Sequence, residues 1–304
     1  EASRMTTAIS LIGVPMDLGQ TRRGVDMGPS AIRYAGIVER LEKLKFNIHD
    51  LGNIEISRPD RNQPERKDKL RNLPEVVEAN TKLANVVDEQ VKNNHFPLVL
   101  GGDHSIAIGS LAGVSRHYEN LGVIWYDAHG DINTTETSPS GNIHGMPLAV
   151  SLGYGHKKLT AILDENPKIK PENVVLIGIR DLDEGEKKLL RDLNIKVYTM
   201  HEIDRLGMSQ VMKETIDYLK DRTDGVHLSF DLDGINPSEA PGVGTPVIGG
   251  VTYRESHLAM EMLAEADIIT SAEFVEVNPM LDDKNKTAIL TVALVGSLFG
   301  EKLI

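Results

Sequence analysis

The 304-residue chain contains no cysteine. That absence removes disulfides, thiolate nucleophiles and zinc–thiolate sites at once. Basic side chains are also scarce, with 33 Lys and Arg against 45 Asp and Glu, a formal net charge of −12. An acidic surface repels phosphate backbones, so nucleic acid is not an expected partner, whereas a cationic small molecule suits it. No apolar run has the length a bilayer demands and no secretory pattern stands at the N-terminus, so no membrane partner is expected. A cytoplasmic location fits the cysteine-free composition. The first methionine is Met5, and Glu1 to Arg4 are expected to be an expression remnant outside the fold. What remains is ordinary for a globular protein, 40% hydrophobic and 26% charged, enough for a sizeable core.

Apolar runs alternate with helix-spaced segments from end to end. Residues 8–14, 47–51, 96–100, 121–126, 174–179, 196–198, 225–230 and 268–277 read as strands. Residues 29–46, 73–94, 106–118, 184–192, 210–220, 252–266 and 287–299 carry helical spacing. Residues 58–71 are charged and expected to form a surface loop, and residues 234–250 a Gly/Pro-rich one. Such alternation implies a mainly parallel sheet of about eight strands with helices on both faces, the competing architecture being a barrel. Right-handed crossovers gather the strand C-termini on one edge, where open α/β sheets bind ligands. No repeat or linker divides the chain, so a single domain is expected over residues 5–304.

Three strand ends carry chemistry. Asp127-Ala-His-Gly-Asp131 places two carboxylates and an imidazole at i, i+2 and i+4, on one side of an extended chain. Asp231 and Asp233 repeat the spacing after residues 225–230, and Gly101-Gly-Asp-His104 ends residues 96–100. Alone, an Asp-x-Asp is a turn or cap, and His104 a residue at a helix start. Together, at matching strand ends, His104, Asp127, His129, Asp131, Asp231 and Asp233 are the donor set for a metal, because buried charge is costly unless paired or bound. Four carboxylates and two imidazoles exceed one ion and suit two. Carboxylate-rich ligation with some imidazole favours two Mn2+ over zinc, copper, calcium or magnesium. A water bridging two such ions would lose a proton readily and serve as the nucleophile. The hydroxyl- and amide-rich loop that follows offers Asn133, Ser138, Ser140 and Asn142 to a carboxylate. His144 suits a general acid or proton shuttle. His227 lies in register with Asp231 but finds the donor set already full, and is assigned to packing.

With Ser140-Gly-Asn-Ile-His-Gly-Met-Pro147 and Glu276-Val-Asn-Pro279 added, these motifs resemble the ureohydrolase family, and within it arginases of bacterial type, over essentially the whole chain. The resemblance implies a three-layer α/β/α fold and hydrolysis of L-arginine to L-ornithine and urea by a metal-bridging hydroxide. It implies His104, Asp127, Asp131 and Asp231 on one manganese and Asp127, His129, Asp231 and Asp233 on the other. Glu276 would pair with the guanidinium, Asp231 relay the first proton, His144 serve the leaving amine, and Thr245 help position the guanidinium end. Asp183 and Glu186 would accept from the α-amino group, with Asn133, Ser138 and Ser140 on the α-carboxylate. Glu136-Thr-Ser-Pro139 departs from the threonine-rich stretch of animal arginases, which bears on Ser138. A homo-oligomer, trimer or hexamer, is implied. The alternatives are an agmatinase or another guanidino or formimino hydrolase, a dimetal phosphoesterase, and a non-catalytic arginine-binding oligomer.

Overall fold

A computed structural model of the chain describes residues 8–59 and 69–304. The strands are β1 (Ala8–Val14), β2 (Asn47–Asn53), β3 (Phe96–Gly101), β4 (Leu121–Tyr126), β5 (Val174–Ile179), β6 (Lys196–Thr199), β7 (Gly225–Asp231) and β8 (Ile269–Val275). They form one sheet in the order β2-β1-β3-β8-β7-β4-β5-β6. Every pairing is parallel. The sheet is open, with β2 and β6 at its edges, and the barrel is set aside.

Two apolar cores flank the sheet, and side chains alternate between them as a pleated strand requires. Along β4, Val123 and Trp125 enter one core while Ile124 and Tyr126 enter the other. Central strands covered on both faces are apolar without interruption, which explains the continuous runs in the sequence. Leu73–Lys92 packs its Val76, Leu83 and Val87 stripe into the first core. Helices Tyr253–Ala266 and Lys286–Leu298 cover the second.

Local differences have physical causes. The helix expected over 29–46 is two, Gly28–Tyr34 and Ile37–Lys43, because Gly36 adopts φ 93 between them. Met200–Leu206 is a helix the periodicity did not indicate. It is too short to show a period and is set by a capping box, Thr199 with Glu202. The charged segment at 58–71 falls largely on residues 60–68, which with Glu1 to Arg4 lie outside the described residues. Among the described residues no helix is long and apolar enough to cross a membrane.

Candidate metal centre

The centre forms where β3, β4 and β7 end side by side with β8. At the exit of β3, Gly102 has φ 52, and a Cβ there would sit 2.3 Å from the Val14 carbonyl oxygen, so only glycine fits. Asp103 locks this turn by accepting from the Gly19 N–H at 2.8 Å and the Ser105 N–H at 2.9 Å. Burial, reinforced by the charge of Glu276, pushes the Asp103 carboxyl up to about 6. The next residue, His104, then points inward. Its Nδ1 lies 3.1 Å from Asp127, 2.8 Å from Asp131 and 3.1 Å from Asp231.

The Asp127–Asp131 motif converges differently from the alternating strand expected. β4 stops at Tyr126, and Asp131 turns back with φ 49. Backbone contacts shape the turn. His129 N–H donates to Asp127 at 2.8 Å, Ala128 N–H donates to Asp233 at 3.3 Å, and Ala128 C=O accepts from Arg180 N–H at 2.9 Å. His129 Nδ1 comes within 3.1 Å of Asp233 and 3.5 Å of Asp127. Arg180 braces the far side by donating to the carbonyls of Asp233 and Gly234, each at 2.8 Å.

Two groups of ligand atoms result, each with all atoms within 4.8 Å: His104, Asp127, Asp131 and Asp231, and Asp127, His129 and Asp233. Asp127 belongs to both, as a bridging residue must. Asp231, expected to be shared as well, falls in the first group alone. The donor set fits a pair of cations. Asp131 Oδ2 is buried with His104 Nδ1, itself a metal-type ligand, 2.8 Å away. Burial and the charge of Asp127 push the Asp131 carboxyl up to about 6, and burial with Asp127 and Asp233 pushes Asp231 up as well. Burial opposes protonation of His104, yet its aspartate neighbours Asp127, Asp131 and Asp231 raise it well above its usual value. Carboxylates crowded in low dielectric call for positive charge, which protons or divalent ions can provide.

Above the ligands opens a cavity of about 140 Å³. Its lining includes His129, Asp131, Asp231 and Asp233, together with Asn133, Ser138, Ser140, Asn142, His144, Asp183, Glu186, Thr245 and Glu276. Every substrate-side residue singled out in the sequence is therefore brought to one place. Glu276, with φ 72, accepts from the His104 N–H at 2.7 Å and meets His144 Nδ1 at 3.2 Å through Oε1. Its Oε2 is buried without a partner. Burial disfavours the His144 imidazolium, but the bond to Glu276 and the charges of Glu276, Asp103 and Asp131 outweigh it and push its pKa up to about 9.

Some contacts differ from the simplest expectation. Thr245 Oγ1 donates to Asp233 at 3.2 Å, so it also fastens a metal-type ligand. Asp183 caps the helix Glu184–Asp192, and Glu186 accepts from the N–H groups of Asp183 and Ile132, each at 3.0 Å. Burial pushes Glu186 up to about 7 against those two bonds. Asn133 Nδ2 donates to Asp183 at 2.9 Å, joining a residue assigned to the α-carboxylate to one assigned to the α-amino group. Ser138 and Ser140 accept from Gly141 and Asn142 N–H and shape the loop. Sequence reasoning passed over Trp125, whose Nε1 donates to Asp127 at 3.1 Å and whose ring stacks on His104. It also passed over Asp103, although Asp103 lies inside the Gly-Gly-Asp-His motif.

Comparison with known proteins agrees with this geometry. An arginase of Bacillus caldovelox is 73% identical over 97% of this chain and 99% of its own length. The native structure of the arginase from that organism at pH 5.6 superposes with a TM-score of 0.96 at 72% identity, covering 98% of this chain and 100% of that one. An arginase of Entamoeba histolytica, solved with L-ornithine, gives 0.88 at 35% identity over 97% of this chain and 99% of that one. The sequence profile described as the Arginase family matches residues 7–300, and the chain belongs to that family.

Proposed function

We propose that this chain hydrolyses the guanidinium group of L-arginine, giving L-ornithine and urea, at a binuclear manganese centre. The observation that carries the reading is the meeting of two metal-type ligand groups sharing Asp127 with a cavity containing the unpartnered Glu276 Oε2. His104, Asp127, Asp131 and Asp231 would hold one ion, and Asp127, His129 and Asp233 the other. Mixed carboxylate and imidazole donors favour manganese. When bound, the ions supply Lewis acidity and an activated water for attack on the guanidinium carbon.

The side chains supply the rest. Glu276 presents a carboxylate oxygen to the guanidinium, a planar cation that carboxylates bind through paired N–H donors. The His104 N–H and His144 hold the other oxygen, so the carboxylate is oriented before substrate arrives. Addition of water to the carbon makes it tetrahedral, and Asp231 accepts the proton released. The bond from that carbon to the side-chain nitrogen then breaks as the hydroxyl on the carbon gives up its hydrogen and becomes the carbonyl of urea. The nitrogen leaves as the ammonium of ornithine, carrying that hydrogen and a proton from His144, and the proton taken up by Asp231 restores His144. With a pKa near 9 His144 is protonated at neutral pH, as that transfer requires. Asp183 and Glu186 read the α-amino group, and Asn133, Ser138, Ser140 and Asn142 the α-carboxylate. Thr245 steadies Asp233 beside the guanidinium end.

The proposal takes residues 5–304 as one domain, acting in the cytoplasm as a homo-oligomer, trimer or hexamer. The test is urea release by the manganese-loaded protein with L-arginine and agmatine side by side. Turnover of arginine alone supports the whole reading. Turnover of agmatine alone keeps the metal centre and sinks the carboxylate contacts. No urea from either sinks the reaction.

A further inference from the structure

One buried polar system lies outside the machinery described so far. It runs inside the sheet, beneath the metal centre, between β7 and β8. Glu273 is fully buried in the middle of β8, opposite Ser229 of β7. One of its oxygens accepts from Ser229 Oγ at 3.1 Å. The other lies 2.7 Å from Nε2 of His227, a histidine 1% exposed. His227 Nδ1 meets Ser271 Oγ at 2.8 Å, and Ser229 Oγ lies 2.7 Å from Nε2 of His104. An unbroken chain thus joins His104 to Glu273 and His227, with no water-accessible member.

The direction of that chain follows from counting hydrogens. A serine hydroxyl has one hydrogen, and a carboxylate can only accept. The Ser229 hydrogen therefore goes to Glu273, and the Ser229 oxygen accepts from His104. Nε2 of His104 then carries a proton, which leaves Nδ1 to offer its lone pair to an ion held with Asp127, Asp131 and Asp231. Burial raises the Glu273 carboxyl, but the charge and hydrogen bond of His227 more than offset this and hold it below the usual range. Glu273 thereby stays an acceptor. Trp125, stacked on His104 at 4.2 Å between centroids and 6° between planes, fixes the ring's tilt but says nothing about its tautomer.

We propose that Glu273, paired with His227, is a positioning residue that acts through Ser229 to keep the His104 Nδ1 lone pair aimed at the metal centre and to strengthen it as a donor. The inference rests on the binuclear metal reading above. The purely structural rival is that the pair merely fills the sheet. Buried ion pairs are poor stabilisers compared with apolar side chains of the same size, so filling alone is a weak reason for one at this place. A carboxylate behind a ligating histidine orients the ring and raises its basicity, and its removal typically costs about 10–100-fold in metal affinity.

The experiment compares the full-length manganese-loaded protein with Glu273→Gln and His227→Gln. Ions per subunit are counted by metal analysis after dialysis against graded chelator, and the melting temperature of each metal-free form is recorded. Glu273→Gln keeps the shape but removes the charge, and its amide can donate to Ser229 and reverse the chain. The expected result is one ion of two released at chelator concentrations lower by about 10-fold or more, with the metal-free melting temperature little changed. His227→Gln leaves the carboxylate with a weaker partner, and a smaller loss of the same ion is expected. It also serves as the test should Glu273→Gln fail to fold. Two ions retained at wild-type chelator concentrations in the folded variants overturn the proposal, whatever happens to the melting temperature. A wild-type protein that binds no metal overturns instead the reading on which it rests.

Discussion

The two edges of the sheet hold cavities of opposite character. Below the strand starts, Ile9, Phe96 and Ile269 line a cavity of about 580 Å³ walled also by Phe46, Tyr118 and Phe299. Above the strand ends the cavity is about 140 Å³ and its walls carry His129, Asp131, His144, Asp231, Asp233 and Glu276. Among the described residues, only this second edge gathers three or more metal-type ligands at one point. The larger space is the poorer in chemistry. Volume shows where a molecule could fit, whereas buried charge that lacks compensation shows where the fold has spent stability on a reaction.

The sharpest way to break this contrast is to remove the residue shared by both ligand groups. Asp127→Ala is expected to lose bound manganese and to lower arginine turnover by at least ~10³-fold, because water without a metal keeps a pKa near ~15.7. Metal analysis showing two ions per subunit in that variant would overturn the bridging role. His144→Ala separates chemistry from metal binding at the same edge. Both ions are expected to stay, while kcat falls by about 10²–10⁴-fold, the usual worth of a positioned general acid. Loss of metal in this variant would place His144 among the ligands instead.

How much of this was legible beforehand depends on where a residue's neighbours lie. His104, Asp127, His129, Asp131, Asp231 and Asp233 stand in short motifs at strand ends, and the parallel topology alone brings such ends together. Asn133, Ser138, Ser140, Asn142 and His144 were legible too, because their loop leaves directly from the ligand turn, whereas Asp183, Glu186, Thr245 and Glu276 were picked out only by the family resemblance. The shape of that turn was not. The turn that carries Asp131 at φ 49 is held by contacts of Ala128 with Asp233 and Arg180, 105 and 52 residues further along the chain. Glu273 and His227 were invisible as a pair. Each sits alone inside an apolar strand, and only the register of β7 against β8 makes them partners. The break at Gly36 was missed because the apolar spacing continues through it.

A milder comparison uses the substrate itself. Asn133→Ala removes a side chain from the cavity wall and frees Asp183 of its 2.9 Å partner. A hydrogen bond to a charged group is worth about 1.5–3 kcal/mol, so KM for arginine is expected to rise about 10-fold or more. Metal content should be unchanged, and the small turnover of agmatine, if any, unaffected. An equal loss with both substrates would remove Asn133 from the α-carboxylate.

Titration of the metal-free protein tests the buried charge directly. Asp131 is raised to about 6 and Glu186 to about 7, so between the unfolded carboxylate range and those values the folded state holds protons that the unfolded chain has lost. Stability from these groups therefore grows as pH falls from 7 towards 5. His144, raised to about 9, contributes stability fully present below the unfolded histidine value and lost as pH rises through 9. The signs agree, and the melting temperature of the metal-free protein is expected to fall by several degrees between pH 5.5 and 9. Manganese takes the place of the Asp131 proton but not of those on Glu186 and His144, so the loaded protein should show a shallower fall over the same range. A metal-free profile that rises with pH would mean that the cluster is not under charge strain.

The smallest effect is expected at the opposite edge, and it completes the contrast. Phe46 meets Phe299 edge-on at 5.3 Å between centroids, and Phe96 meets the same ring at 5.0 Å. Replacing Phe46 with Leu trims one half-buried wall of the 580 Å³ cavity and loosens that aromatic cluster. An edge-to-face pair is worth about 0.5–1.5 kcal/mol beyond its area, so a modest drop in melting temperature should follow. Neither manganese content nor kcat nor KM should move, because the cluster lies at the starts of β1, β3 and β8 while the ligands lie at the strand ends. Altered turnover in Phe46→Leu would show that the two edges communicate through the sheet, and the division between an edge for chemistry and an edge for packing would no longer hold.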